Sequence, residues 1–168
     1  MSLGFTDFSM DEIYLLFRRF EKGGQGQLTY NDFSRILLPF SREYASLITD
    51  RSEYYGRRSR DGVTFFNADT RHELQAFWAT MLRTERAMEI LRARLNQRPY
   101  MNLREVFEVC TRSRTGLILA QDLREVLAES GFYSTERELQ GLMYRLDGDN
   151  DSCISFKDFM DELSPKMH

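Results

Sequence analysis

The chain has 168 residues, of which 42% are hydrophobic and 13% aromatic, and its 23 basic and 26 acidic side chains leave a net charge of −3. That much apolar material excludes a disordered polymer, and the length suits one compact domain or two small lobes. No long uncharged apolar run is present, so no membrane span is expected, and a sequence pI near 5.5 argues against nucleic-acid binding.

The charge is uneven. Residues 1–50 carry 5 basic and 7 acidic groups (net −2), residues 51–100 carry 10 and 6 (net +4), and residues 101–168 carry 8 and 13 (net −5). The basic centre is mostly arginine, which suits paired contacts, although solvated helix faces carry similar runs. The N-terminus M-S-L-G-F-T-D-F lacks the basic start and apolar run of a signal peptide, and Gly4 is misplaced for myristoylation. Cys110 and Cys153 offer no disulfide framework, so reduced thiols in a cytoplasmic setting are expected.

In chain order, the first helix opens on a capping box, Ser9 with Glu12, in which each side chain satisfies a free backbone N–H of the other. Ile13, Leu16, Phe17 and Phe20 follow at helical spacing. The loop E-K-G-G-Q-G-Q-L-T-Y-N-D, residues 21–32, leads to a helix around 30–38. Tyr54-Tyr55 and Phe65-Phe66 then interleave with Arg51, Arg57, Arg58 and Arg60, a mixture that could stack on a partner or tuck its rings against the first helices.

Thr70 with Glu73 predicts the start of a helix over 71–96, about 40 Å long. Its apolar positions are Leu74, Phe77, Trp78, Met81, Leu82, Met88, Leu91 and Leu95, and Pro99 is expected to end it or lie just beyond its end. Asn102 with Glu105 opens the next helix, carrying Leu103, Val106, Phe107 and Cys110. A helix around 120–129 follows. Thr135 with Glu138 opens another, with Leu139, Leu142, Met143 and Leu146, and a last helix covers about 156–163. The chain reads as all-α.

The loops repeat. T-R-S-R-T-G-L-I-L-A-Q-D (111–122) and D-G-D-N-D-S-C-I-S-F-K-D (147–158) align with 21–32: each has twelve residues, ends in Asp and sits between helices. Each carries an aliphatic at position eight (Leu28, Ile118, Ile154), and two carry Gly at position six, Gly26 and Gly116. Ile118 and Ile154 lie 36 residues apart.

On these residues the chain resembles the calmodulin, centrin and troponin C superfamily of EF-hand proteins, over about 9–40 and 103–163. The resemblance implies a calmodulin-like two-lobe arrangement with a long inserted helix: an N-terminal degenerate lobe over 1–66, a connecting helix over 67–98 and a C-terminal EF-hand pair over 99–168. It also implies short β-bridges between paired loops, with 117–119 beside 153–155. R-R-S-R-D-G-V-T-F-F-N-A (57–68), with Gly62, falls where a vestigial fourth loop belongs.

An EF-hand site needs oxygen ligands at positions 1, 3, 5, 7, 9 and 12, with a bidentate Glu at the last. Loop 21–32 has Gly23 and Gln25 at two of these positions; loop 111–122 has Thr111, Ser113 and Thr115 between Arg112 and Arg114. Both are expected to be ion-free turns. Loop 147–158 keeps Asp147, Asp149, Asp151, the Cys153 carbonyl, Ser155 and Asp158. Ser152 stands at position six, where a left-handed turn costs about 1 kcal/mol. Asp158 replaces Glu and is too short to bind bidentately with ease. One site for Mg²⁺ or weak Ca²⁺ is the expectation, with an acidic turn as the plain alternative.

His72 and His168 have no neighbour at catalytic or metal spacing, Cys110 lies on an apolar helical face, and neither a glycine-rich phosphate loop nor G-x-S-x-G occurs. No enzyme is expected. The resemblance implies a non-enzymatic interaction protein, mostly calcium-independent, that grips an amphipathic helix of a larger partner. The groove would be Phe107, Leu123, Val126, Leu127, Met143, Phe159 and Met160. Mostly spent loops and an arginine-rich insertion also resemble accessory components of cilia, flagella and the cytoskeleton. The alternative is a calcium sensor or buffer acting through 147–158.

Overall fold

The computed structural model describes residues 8–21, 26–39, 41–49, 68–149 and 151–167. Among the described residues there are eight helices and no strand: α1 (Met10–Phe20), α2 (Tyr30–Leu37), α3 (Arg42–Thr49), α4 (Ala68–Asn96), α5 (Leu103–Cys110), α6 (Ala120–Glu129), α7 (Glu136–Leu146) and α8 (Phe156–Leu163). This is the all-α fold expected. The chain forms two compact units that divide within α4, between Glu89 and Ile90. The suggested loop at 57–68 and the Tyr54-Tyr55 and Phe65-Phe66 cluster lie outside the described residues, save for Ala68, which begins α4.

In the first unit, Ser9 and Glu12 cap α1 as the sequence predicts, and Leu15 and Leu16 are buried. Two ion pairs seven residues apart on α1 fasten it to adjacent residues of α4. Glu12 takes Arg86 through Nε and through Nη2 at 2.8 Å, and Arg19 reaches Glu85 at 3.4 Å. Phe33 of α2 lies 6.2 Å from Trp78 of α4, ring centre to ring centre. The helix α3 was not foreseen, although its pattern is amphipathic and follows Pro39 and Ser41.

Two expectations about α4 are corrected. Thr70 is not its N-cap: the helix already starts at Ala68, because alanine favours helix and Asp69 complements the positive N-terminal dipole. Nor is its buried face a simple apolar stripe. Leu82, Glu85, Glu89 and Arg92 are the buried positions, whereas Leu91 and Leu95 are exposed. Charged groups tolerate burial when paired, as Glu85 is with Arg19 and Arg92 with Glu162.

The second unit closes α5–α8 around Phe107, Cys110, Ile118, Met143, Ile154 and Phe159. The Phe107 ring meets Phe156 and Phe159 edge-on at 5.3 and 5.5 Å, the arrangement that ring quadrupoles favour. Ile118 and Ile154 are essentially inaccessible and form an antiparallel bridge, N to O at 3.0 Å one way and 2.9 Å the other. Glu162 of α8 receives Arg92 from α4 and Arg145 from α7, each at 2.8 Å.

Candidate metal centre

The helix–loop–helix units share one local plan. Position six of each loop takes a left-handed turn: Gly26 at φ 68°, Gly116 at 78° and Ser152 at 69°. The serine therefore adopts the strained conformation expected for it. Positions nine and twelve form the start of the exit helix, with the position-nine N–H bound to the position-twelve carboxylate: Thr29 to Asp32 at 2.9 Å, Leu119 to Asp122 at 2.9 Å and Ser155 to Asp158 at 3.0 Å. The carboxylate at position one, where present, accepts from position six, as Gly26 N to Glu21 at 3.0 Å and Ser152 N to Asp147 at 2.9 Å.

Against this shared frame the loops diverge. Asp147, at the end of α7 and buried, Asp149 and Asp151 bring one carboxylate oxygen each within 4.8 Å of one another, the one such acidic group among the described residues. The loop backbone turns inward around them. Asp151 N donates to both Asp147 and Asp149 at 3.3 Å, and Cys153 N donates to Asp151 at 2.8 Å. Three carboxylates gathered so closely are the hard-oxygen donor set a divalent cation takes.

Asp158 stands apart from that trio. One of its oxygens is held by Ser155, which donates from both N and Oγ. The other, Oδ1, faces the second loop residue so closely that a Cβ on Gly148 would lie 2.7 Å away. Gly148 thus leaves the room through which Asp158 approaches the acidic turn, a role no sequence motif announced. Ser155 is engaged with Asp158 as the α8 cap, its Oγ accepting from Asp158 N at 3.2 Å. Burial, then the charges of Asp151, Asp147 and Asp149, push the Cys153 thiol upward in pKa, away from thiolate chemistry.

Loop 111–122 gathers hydroxyls instead. Ser113 donates from N and from Oγ to Asp122, each at 3.0 Å, and Thr115 Oγ1 lies 3.0 Å from Ser113 Oγ. Arg112 pairs with Glu129 of α6. In loop 21–32, residues 22–25 lie outside the described residues, and Asp32 caps α2.

The residues proposed to grip a partner occupy two depths. Phe107, Met143 and Phe159 are buried in the core, while Leu123, Val126, Leu127 and Met160 are half-buried around it. His72 is exposed beside Glu73 at 3.8 Å, and His168 lies outside the described residues.

Paired helix–loop–helix units, joined at position eight by a β-bridge and turning left-handed at position six, define an EF-hand protein. In these features the chain is similar to the calmodulin superfamily of such proteins. No family model matches it. It is similar to probable calcium-binding protein CML11 of Oryza sativa subsp. japonica, at 26% identity over 155 residues, 91% of this chain and 66% of that protein. It is also similar to human calcium-binding protein 8, at 38% over 65 residues, and to human calcium-binding protein 7, at 35% over 65 residues. Those stretches are 39% of this chain and 25% and 30% of the two human proteins, so the chain spans under two thirds of its relatives' lengths. No helix among the described residues is long and apolar enough to cross a membrane.

Proposed function

We propose that this chain is a non-enzymatic calmodulin-like interaction protein, mostly calcium-independent, with one divalent-cation site. The observation that carries this reading is the contrast between neighbouring loops: 147–158 gathers three carboxylates, whereas 111–122 converges on hydroxyls and has no comparable charge. A lobe with one competent loop gives an ion a single handle.

The cation is Mg²⁺ or weakly held Ca²⁺, on Asp147, Asp149 and Asp151, with the Cys153 carbonyl, Asp158 and, through water, Ser155 completing the shell. The partner is a basic amphipathic helix of a larger protein, seated on Leu123, Val126, Leu127 and Met160. Opening of the lobe adds Phe107, Met143 and Phe159. Residues 101–168 carry a net charge of −5, which favours a basic partner. A cytoskeletal, ciliary or flagellar component in the cytoplasm is the partner class that the arginine-rich insertion suggests.

The converging carboxylates also support a second reading, a calcium sensor or buffer acting through 147–158. Its relatives' names, calcium-binding proteins, fit either reading. Calorimetric titration with Ca²⁺ and Mg²⁺ tests the site: one ion per chain, abolished by Asp147→Ala, is expected. Two or more ions, or one retained in Asp147→Ala, would contradict the assignment.

A further inference from the structure

Loop 111–122 is closed without an ion by its own donors. Asp122 is 5% exposed and accepts three hydrogen bonds: Ser113 N to Oδ1 at 3.0 Å, Ser113 Oγ to Oδ2 at 3.0 Å and Leu119 N to Oδ2 at 2.9 Å. Thr115 Oγ1 accepts from Leu117 N at 3.3 Å, and its single proton goes either to Ser113 Oγ at 3.0 Å or to the Leu117 carbonyl at 3.1 Å. Positions three, five and twelve therefore converge.

In loop 147–158 the same positions are Asp149, Asp151 and Asp158. An ionised carboxylate at position three has no proton to donate to the one at position twelve, and like charges repel. Among the described contacts, Asp158 is held by Ser155 alone within the loop, without the cross-loop bond that Ser113 gives Asp122. What Ser113 does with a proton, that loop can do only with a cation.

We propose that the Ser113 hydroxyl takes the place of a cation in loop 111–122, closing it onto Asp122 by a link that an ionised acid at position three could make only through an ion. The proposal stands on loop 111–122 alone.

The test uses the full chain as wild type, S113A, S113T and the double variant S113D/T115D, in chelator, Ca²⁺ and Mg²⁺. In chelator the double variant is expected to melt below wild type, since acids now face Asp122. With Ca²⁺ it recovers more than wild type gains and takes up one additional ion by calorimetry. Folding only in the presence of the ion gives the same support. No additional ion, or failure to fold in either condition, would overturn the stand-in role. S113A is expected to melt below wild type in chelator and S113T to recover most of the difference, whereas an unchanged melting temperature in S113A would overturn the stand-in role. If wild type takes up no ion while the double variant takes up one, the reading of 147–158 fails and the hydroxyl stand-in survives.

Discussion

Arg92 donates from Nε to the backbone carbonyl of Glu162 and from Nη2 to its carboxylate at 2.8 Å, although 70 residues separate the two in sequence. The guanidinium thus caps the last turn of α8 and pairs its charge while only 2% exposed. Arg145 of α7 meets the same carboxylate at 2.8 Å, so Glu162 joins α7, α8 and the end of α4. Glu162→Ala is expected to destabilise the second unit by about 3 kcal/mol, because the buried Arg92 guanidinium loses this counter-charge. Denaturant unfolding measures this. Replacing Arg92 and Glu162 together with Met and Leu is expected to restore part of the loss, since the more deeply buried of the two guanidinium charges is then gone and only Arg145 loses this counter-charge.

The attachment of α1 to α4 responds to acid. Hydrogen bonds from the Arg86 guanidinium, and then from the Ser9 backbone, lower the Glu12 carboxyl to about 2 from an ordinary 4.5. A lowered carboxyl pKa means that the folded state favours the ionised form. The stabilisation is therefore complete above about pH 4.5 and is lost as pH falls toward 2. Thermal unfolding of wild type and Glu12→Gln should differ at neutral pH and converge across that window. A constant difference down to pH 2 would rule out this attachment.

Gly148→Ala tests the approach of Asp158. An added Cβ would lie 2.7 Å from Asp158 Oδ1, so the carboxylate must swing away from the acidic turn. Cation affinity at 147–158 is expected to fall about tenfold, as when a residue supporting metal ligands is lost. Calorimetry reads the change, and an unaltered affinity would show that Asp158 takes no part.

Ser152→Gly should act in the opposite direction. At φ 69° the serine side chain crowds the backbone, and glycine relieves about 1 kcal/mol of strain. Glycine also widens the freedom of the unfolded chain, which offsets part of that gain. A modest rise in melting temperature and a tighter cation site are expected. A fall in both would mean that the serine is not strained.

The most local features were the most legible. Capping boxes at Ser9 and Thr135, and an Asn102 cap that accepts from Arg104 and Glu105, depend on residues within one turn, and they mark helix starts as read. The pairing of Ile118 with Ile154 followed from a repeated twelve-residue pattern, and the bridge lies at that position. The charged face of α4 was not legible. Glu85 and Arg92 read as solvent-facing until their partners, Arg19 and Glu162, are placed against them from 66 and 70 residues away. The same holds for Ser113: its position within the loop marked it as a poor ligand, but its two bonds to Asp122 become visible only when the loop closes.

The most direct test of constitutive partner binding is calorimetry of the purified chain with a lysine-rich amphipathic helical peptide, in Ca²⁺ and in chelator, at low and high salt. Affinity is expected to change little between Ca²⁺ and chelator. High salt should slow association yet leave the complex formed, because screening weakens charge attraction but not apolar contact. Binding in Ca²⁺ that disappears in chelator would contradict a constitutive role and establish the sensor in its place.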